Sequence, residues 1–211
     1  GEKMKLTFNF GVDARYYLPI YKNFIWATRF AADFSWGNRK VLYYLGGVDN
    51  WLGPKYNQTN APSNQEIATA NYAFQTLSEN LRGYKQNVKH GNNVALINTE
   101  LRLPVFATFI NHPISSGLIR NFQITSFMDI GTAWNGKVGE INQKSGYISN
   151  TNGSVLVKIK NNPLGPFVGG YGFGARTKIA GYFLRVDAAW PMANGFFHGK
   201  PMWYFALGVD F

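Results

Sequence analysis

"FIWATRFAADFSW", residues 24–36, decides the fold. Taking every second residue puts Phe24, Trp26, Thr28, Phe30, Ala32, Phe34 and Trp36 on one face and Ala27, Arg29, Ala31, Asp33 and Ser35 on the other. A strict period of two is the signature of a strand with one apolar side. A core strand of a water-soluble sandwich also alternates, but here charges stand mid-strand on the minor face. The aromatics gather toward the strand ends, the girdle pattern of a strand that crosses a membrane. Ser35, on the minor face, is expected to tolerate a lysine.

The pattern repeats on both sides of this stretch. "KLTFNFGVDARYY" (5–17) sets Leu6, Phe8, Phe10, Val12, Ala14 and Tyr16 against Thr7, Asn9, Gly11, Asp13 and Arg15. "NVALINTELRLP" (93–104) points Ile97, Leu101 and Leu103 outward and Asn98, Glu100 and Arg102 inward. In "FQITSFMDIGTAW" (122–134), Ile124, Met128 and Ile130 oppose Thr125, Phe127 and Asp129. "VGGYGFGARTK" (168–178), "YFLRVDAAW" (182–190) and "MWYFALGVDF" (202–211) complete seven strands. Each is near the ~9–11 residues a tilted membrane strand requires. The expected fold is therefore all-β, a transmembrane antiparallel β-barrel.

Connection lengths alternate: short at 18–23, very long at 37–92, intermediate at 105–121, long at 135–167, tight at Ala180-Gly181 and moderate at 191–201. Outer-membrane barrels place short turns on the periplasmic side and long loops outside. That assignment predicts a periplasmic C-terminus, with 37–92 and 135–167 as extracellular loops. Seven is an odd count, and bacterial barrels of one chain have even counts, so further strands are expected before Gly1.

Composition agrees with this class. Aromatics make up 17% of the chain and no long apolar run is present, so membrane helices are not expected while membrane strands are. The formal charge of +10 is spread along the chain without a basic run, which argues against nucleic acid and suits anionic lipid headgroups. His90, His112 and His198 fall in separate connections without ligand spacing, and cysteine is absent, so neither a metal nor another cofactor is expected. "GYGFGA" lies in an alternating strand and is no dinucleotide loop, and no GxSxG elbow occurs; no enzyme is expected.

Several of these stretches, in order, resemble the Omp85 superfamily of outer-membrane assembly and translocation barrels. "LRGY" (81–84), preceded by "YYLGG" (43–47), is similar to the signature of the family's sixth extracellular loop. "NTELRLPVF" resembles its twelfth strand, "SFMDIGTAW" the thirteenth, and "YGFGART" and "YFLRVDAAWP" the next two. The last stretch, with Trp203, Phe205, Leu207, Val209 and Phe211 on one face, is similar to the signal that outer-membrane proteins present for assembly.

The resemblance implies that this chain is the C-terminal seven strands of a sixteen-stranded barrel in the bacterial outer membrane. It also implies that the long loop folds back into the lumen, with Arg82 bonding to Glu100 and Asp129, Gly83 permitting a tight backbone and Tyr84 packing on the wall. Its implied role is insertion, assembly or translocation. Its implied partners are outer-membrane lipid and lipopolysaccharide, unfolded outer-membrane protein substrates, and periplasmic or lipoprotein subunits. Two other readings stand beside it. One is a barrel anchoring a periplasmic β-propeller or patatin-like domain, and the wording is particularly similar to Bacteroidota propeller-plus-barrel proteins. The other is a generic small outer-membrane pore. The departure from the family pattern is the insertion from Val48 to Asn80, which reads as a lid, a partner-binding segment or a disordered loop.

Overall fold

A computed structural model describes residues 6–58, 71–138, 147–151, 155–159, 164–193, 195–197 and 199–208. In chain order the elements are β1 (Thr7–Tyr21), β2 (Phe24–Gly37), β3 (Lys40–Leu45), β4 (Tyr72–Glu79), β5 (Lys89–Gly91) and β6 (Asn93–Pro104). Two short helices follow, α1 (Val105–Phe109) and α2 (Gly117–Arg120), then β7 (Gln123–Trp134), β8 (Tyr147–Thr151) and β9 (Val155–Ile159). The chain continues through β10 (Val168–Ile179), β11 (Tyr182–Ala193), β12 (Phe196–Phe197) and β13 (Met202–Gly208). The fold is all-β.

The seven long strands form one antiparallel sheet in the order β1-β2-β6-β7-β10-β11-β13, with β12 pairing the end of β11. Register carries the two faces across every pair: Phe30 stands opposite Ile97, Ile97 opposite Ile130, and Val186 opposite Phe205. A one-residue slip would move each apolar set to the wrong side, so alternation and register specify each other. The sheet is open. Its edges are β1 and β13, and no pairing between them occurs among the described residues.

The faces are inverted relative to a sheet in water. Phe10, Phe173 and Trp203 are 54%, 58% and 57% exposed on the apolar face. The opposite face buries Glu100, Asp129, Arg176 and Asp187. A water-soluble antiparallel sheet does the reverse, packing its apolar face and solvating its charges.

Burial of that charged face comes from the long 37–92 connection, whose described residues include three strands. β3 pairs in parallel with β4 and antiparallel with β5, making a small three-stranded sheet. A parallel pair needs a long crossover, and the stretch between β3 and β4 is long enough to provide one. Val41, Tyr43 and Leu45, from the apolar run "VLYYL", pack with Leu81 and Val88 against Val94, Leu96, Ala133 and Val168 of the main sheet. Residues 59–70 of the insertion lie outside the described residues.

Other boundaries shift for local reasons. β1 runs on to Tyr21, so the 18–23 connection contracts to Lys22-Asn23, with Lys22 at φ 47. β11 continues to Ala193, and β12 occupies part of the 191–201 connection. The 135–167 connection contains the hairpin of β8 and β9. Ser35 corrects the expectation of a tolerant lumen site. It is fully buried and its Oγ accepts a hydrogen bond from the Val41 backbone N–H at 2.8 Å, so a lysine there would displace β3.

The outer edge of β13 meets the insertion as well. Leu52 N–H donates to the Phe205 carbonyl at 2.7 Å, and Leu207 N–H to the Asn50 carbonyl at 3.3 Å. Between them Trp51 packs on Tyr204 at 4.8 Å between ring centroids. Of the residues expected to form the assembly signal, Trp203, Phe205 and Leu207 lie exposed on the apolar face, and Val209 and Phe211 lie outside the described residues.

Candidate functional site

β6, β7 and β11 each direct one carboxylate to the inner face: Glu100, Asp129 and Asp187. Alternation puts them there, and register sets Asn98 directly across from Asp129 and Phe127 across from Glu100. The stretch between β4 and β5 descends onto these groups and brings Arg82 with it. Arg82 Nε and Nη2 donate to the two oxygens of Asp129, both at 2.7 Å, in the parallel fork that a planar guanidinium makes with a carboxylate. Its Nη1 donates to Glu100 Oε1 at 2.5 Å, and its backbone N–H to Asp129 Oδ2 at 3.1 Å. The guanidinium carbon lies 3.6 Å from the centroid of the Phe127 ring, a cation–π contact on a third side.

Arg82 is 4% exposed and Asp129 is fully buried. Burial alone would pull the Arg82 pKa down, but the Asp129 and Glu100 carboxylates outweigh it and hold the guanidinium firmly charged. The acceptors are further satisfied by neighbours. Asn98 Nδ2 donates to Asp129 Oδ1 at 2.8 Å, and Arg176 and Arg102 donate to Glu100 at 2.5 and 2.9 Å. Such extra donors are what allow a buried ion pair to offset its desolvation cost.

Gly83 and Tyr84 complete the seat. Gly83 has φ +98, a conformation L side chains rarely adopt, and an added Cβ would lie 3.0 Å from the Trp190 carbonyl. Its N–H donates to the Tyr204 hydroxyl at 2.8 Å, and that hydroxyl donates to the Tyr84 carbonyl at 2.7 Å. The Tyr84 hydroxyl donates to the Met192 carbonyl at 3.0 Å, and burial pushes its pKa up to about 12. The structure thus brings together Arg82, Gly83, Tyr84, Glu100 and Asp129.

Three contributors escape the sequence reading. Asp187 sits 3.8 Å from Arg82 Nη1 and 3.2 Å from Arg185 Nε; alternation shows it inward but not which cation it faces. Tyr204 belongs by period two to the inner face of the last strand, opposite the outward aromatics, and there it clamps the loop backbone. The glycines of β10 serve the loop as well as the wall. A Cβ on Gly170 would collide with the Arg82 carbonyl oxygen, so the wall must be bare where the loop backbone lies on it.

A second tie lies toward β1. Arg29 donates from Nη1 to Glu79 Oε2 at 2.8 Å and from Nη2 to Asp13 Oδ2 at 2.8 Å, and Arg15 joins Asp13 at 3.0 Å. It fastens the end of β4 to β1 and β2. Between this tie and the Arg82 site runs a cavity of about 250 Å³, lined by Arg15, Arg29, Asn98, Arg102 and Arg185 among others.

His90 Nδ1 lies 3.1 Å from Asn87 Oδ1, His112 is exposed, and His198 lies outside the described residues. No group of three or more His, Cys, Asp or Glu among the described residues could hold a metal ion. What the arrangement can do chemically is hold a loop: it joins the 37–92 connection to the main sheet through charges shielded from water. No protein-family model matches this chain, and no curated protein matches it.

Proposed function

We propose that this chain forms the C-terminal strands of an Omp85-like β-barrel in the bacterial outer membrane, with its long extracellular loop locked into the lumen. The barrel would act in insertion, assembly or translocation at that membrane. The observation that carries this reading is the pairing of opposites across one sheet. Arg82 is held by Asp129 and Glu100 on the buried face, while Phe10, Phe30, Phe173 and Phe205 stand exposed on the other. An exterior of that kind suits hydrocarbon, where a lysine at mid-depth costs about 2–4 kcal/mol. The open edge of β1 suits closure by further strands, since an unpaired edge cannot face lipid, whereas the edge of β13 is met in part by Asn50 and Leu52. Partners on this reading are outer-membrane phospholipid and lipopolysaccharide, with unfolded outer-membrane proteins as substrates.

Depletion of the full-length protein in its host, followed by quantification of outer-membrane proteins, tests the function. A general fall in other barrels is expected for an assembly or translocation role. Unchanged levels, with loss only of an activity carried by an attached periplasmic domain, would replace this reading with an anchoring one. Phe30→Lys tests the wall itself: it should remove the protein from the outer-membrane fraction, and normal levels would reject lipid on that face.

A further inference from the structure

The connection from 105 to 121, between β6 and β7, is long for the side of the sheet that otherwise turns at Lys22-Asn23 and Ala180-Gly181. It leaves the sheet at Pro104 and folds back onto the apolar face. Thr177 shares that face with Phe173 and Ala175, yet it is only 9% exposed, and its Oγ1 donates to the Leu118 carbonyl at 2.7 Å. On the β2 side, Asn23 Nδ2 donates to the Ala107 carbonyl at 3.0 Å. The connection is therefore fastened at two points, and its own Phe106 packs on Phe122 at 5.7 Å between ring centroids.

Having folded back, it still shows apolar side chains outward. Phe109 is 68% exposed, and Leu118 and Ile119 stand exposed as well, interspersed with Asn111, Ser115 and Ser116. Neither helix is long enough to cross a bilayer. The three connections at this end of the sheet carry charge of one sign. Residues 18–25, 103–123 and 177–184 contain Lys22, Arg120 and Lys178 and no Asp or Glu. Exposed apolar groups among small polar ones, continuous with an apolar wall and accompanied by cations in the neighbouring turns, fit the boundary between acyl chains and phosphates.

We infer that residues 105–121 form a membrane-surface element whose partner is a layer of phospholipid headgroups. Phe109, Leu118 and Ile119 enter the acyl boundary, and Arg120, with Lys22 and Lys178, faces lipid phosphates. The inference rests on the reading of the sheet as a membrane wall, and its test separates the two.

These 211 residues hold no cysteine, so single probes can be placed cleanly once any cysteine elsewhere in the full-length protein is replaced by serine. Full-length protein carrying Leu118→Cys, Phe109→Cys or Phe30→Cys, labelled with an environment-sensitive fluorophore, is reconstituted into vesicles of phosphatidylcholine and phosphatidylglycerol. Quenching is read with headgroup-labelled lipid and with aqueous iodide. Probes at Leu118 and Phe109 should lose most of their emission to the labelled lipid and little to iodide, and Arg120→Glu should shift the Leu118 probe toward iodide. Quenching at Leu118 and Phe109 by iodide alone, with the Phe30 probe still quenched by lipid, overturns the inference and leaves the wall standing. Protection from both quenchers means that protein covers the element, which also overturns it. A Phe30 probe reached only by iodide removes the wall reading and the inference with it.

Discussion

Arg82 and Arg29 both fasten the 37–92 segment to the inner face of the sheet, and they do so at different depths. The Arg82 side chain is 5% exposed, and its partners Asp129 and Glu100 are 0% and 9% exposed. The Arg29 side chain is 26% exposed; it holds Glu79, at 7%, and shares Asp13, at 39%, with Arg15. The residue types are the same, yet the consequences of breaking them differ. In a dry setting the lost partner leaves an uncompensated charge that water cannot reach, whereas in a wet one water and salt take its place. Depth, more than the count of ion pairs, decides what holds the insertion.

The largest effect should follow from Arg82→Ala. It leaves Asp129 and Glu100 facing each other without their shared cation, and removing one partner of a buried pair costs roughly 3–5 kcal/mol. Arg82→Lys keeps the charge but cannot reproduce two parallel bonds to Asp129 together with a third to Glu100, so it should rescue only in part. Urea unfolding of the refolded full-length protein in detergent, with protease access to the insertion as a second readout, measures both. A loss below about 1 kcal/mol for the alanine variant would put Arg82 in the same class as an exposed pair.

Gly170→Ala attacks the same seat without touching a charge. The added methyl meets the Arg82 carbonyl oxygen, so either the loop lifts or the β10 backbone shifts, and overpacking of this kind typically costs about 1–3 kcal/mol. Gly53→Ala is a poor control because of its positive φ. Gly117→Ala meets nothing nearby and should be neutral in the same assay. Equal stability of the Gly170 and Gly117 variants would show that the loop backbone does not rest on the β10 wall.

The Arg29 tie should respond to pH through Glu79. Burial raises the Glu79 pKa to about 7; Arg29 lowers it in part and Asp33 raises it further. A carboxyl whose folded pKa lies above its unfolded value binds more protons when folded, so its contribution to stability is present at low pH and is lost as pH rises. The window runs from the ordinary glutamate value, near 4.5, up to about 7. Melting temperature of the refolded protein should therefore fall across that window and level off above it. Glu79→Gln should flatten this part of the profile, and a profile unchanged by that substitution would remove Glu79 as its source.

The main sheet was legible because alternation is a local property. Each of the seven long strands lies where period two puts it, and inward Glu100 and Asp129 follow from the same count. The three-stranded sheet of the 37–92 connection is not legible, because β3 and β4 pair in parallel across more than twenty residues of polar sequence and nothing local announces such a pairing. "VLYYL" was a visible apolar run whose partners lay elsewhere in the chain. Ser35 departs from its expectation for a related reason: period two gives its face, but only the docking of β3 makes that face dry. Asp187 and Tyr204 were visible as inward residues, and what they touch depends on how deep the loop descends.

The smallest effect is expected from Asp13→Asn, and it is the sharpest test of the comparison. Asp13 accepts from both Arg15 and Arg29, so a count of bonds would rank it beside Asp129. Exposure ranks it far below. Asp13 stands on the edge strand β1, whose residues are exposed along nearly its whole length, and Arg29 keeps its contact with Glu79 when Asp13 is neutralised. The expected cost is about 0–1 kcal/mol. It should shrink further when salt is raised, since exposed charges are screened and buried ones are not. Asp129→Asn, measured in the same urea series, should cost several times more and stay insensitive to salt. If the two asparagine variants lose equal stability with equal salt dependence, depth is not what separates the two ties, and the site at Arg82 is no drier than the one at Arg29.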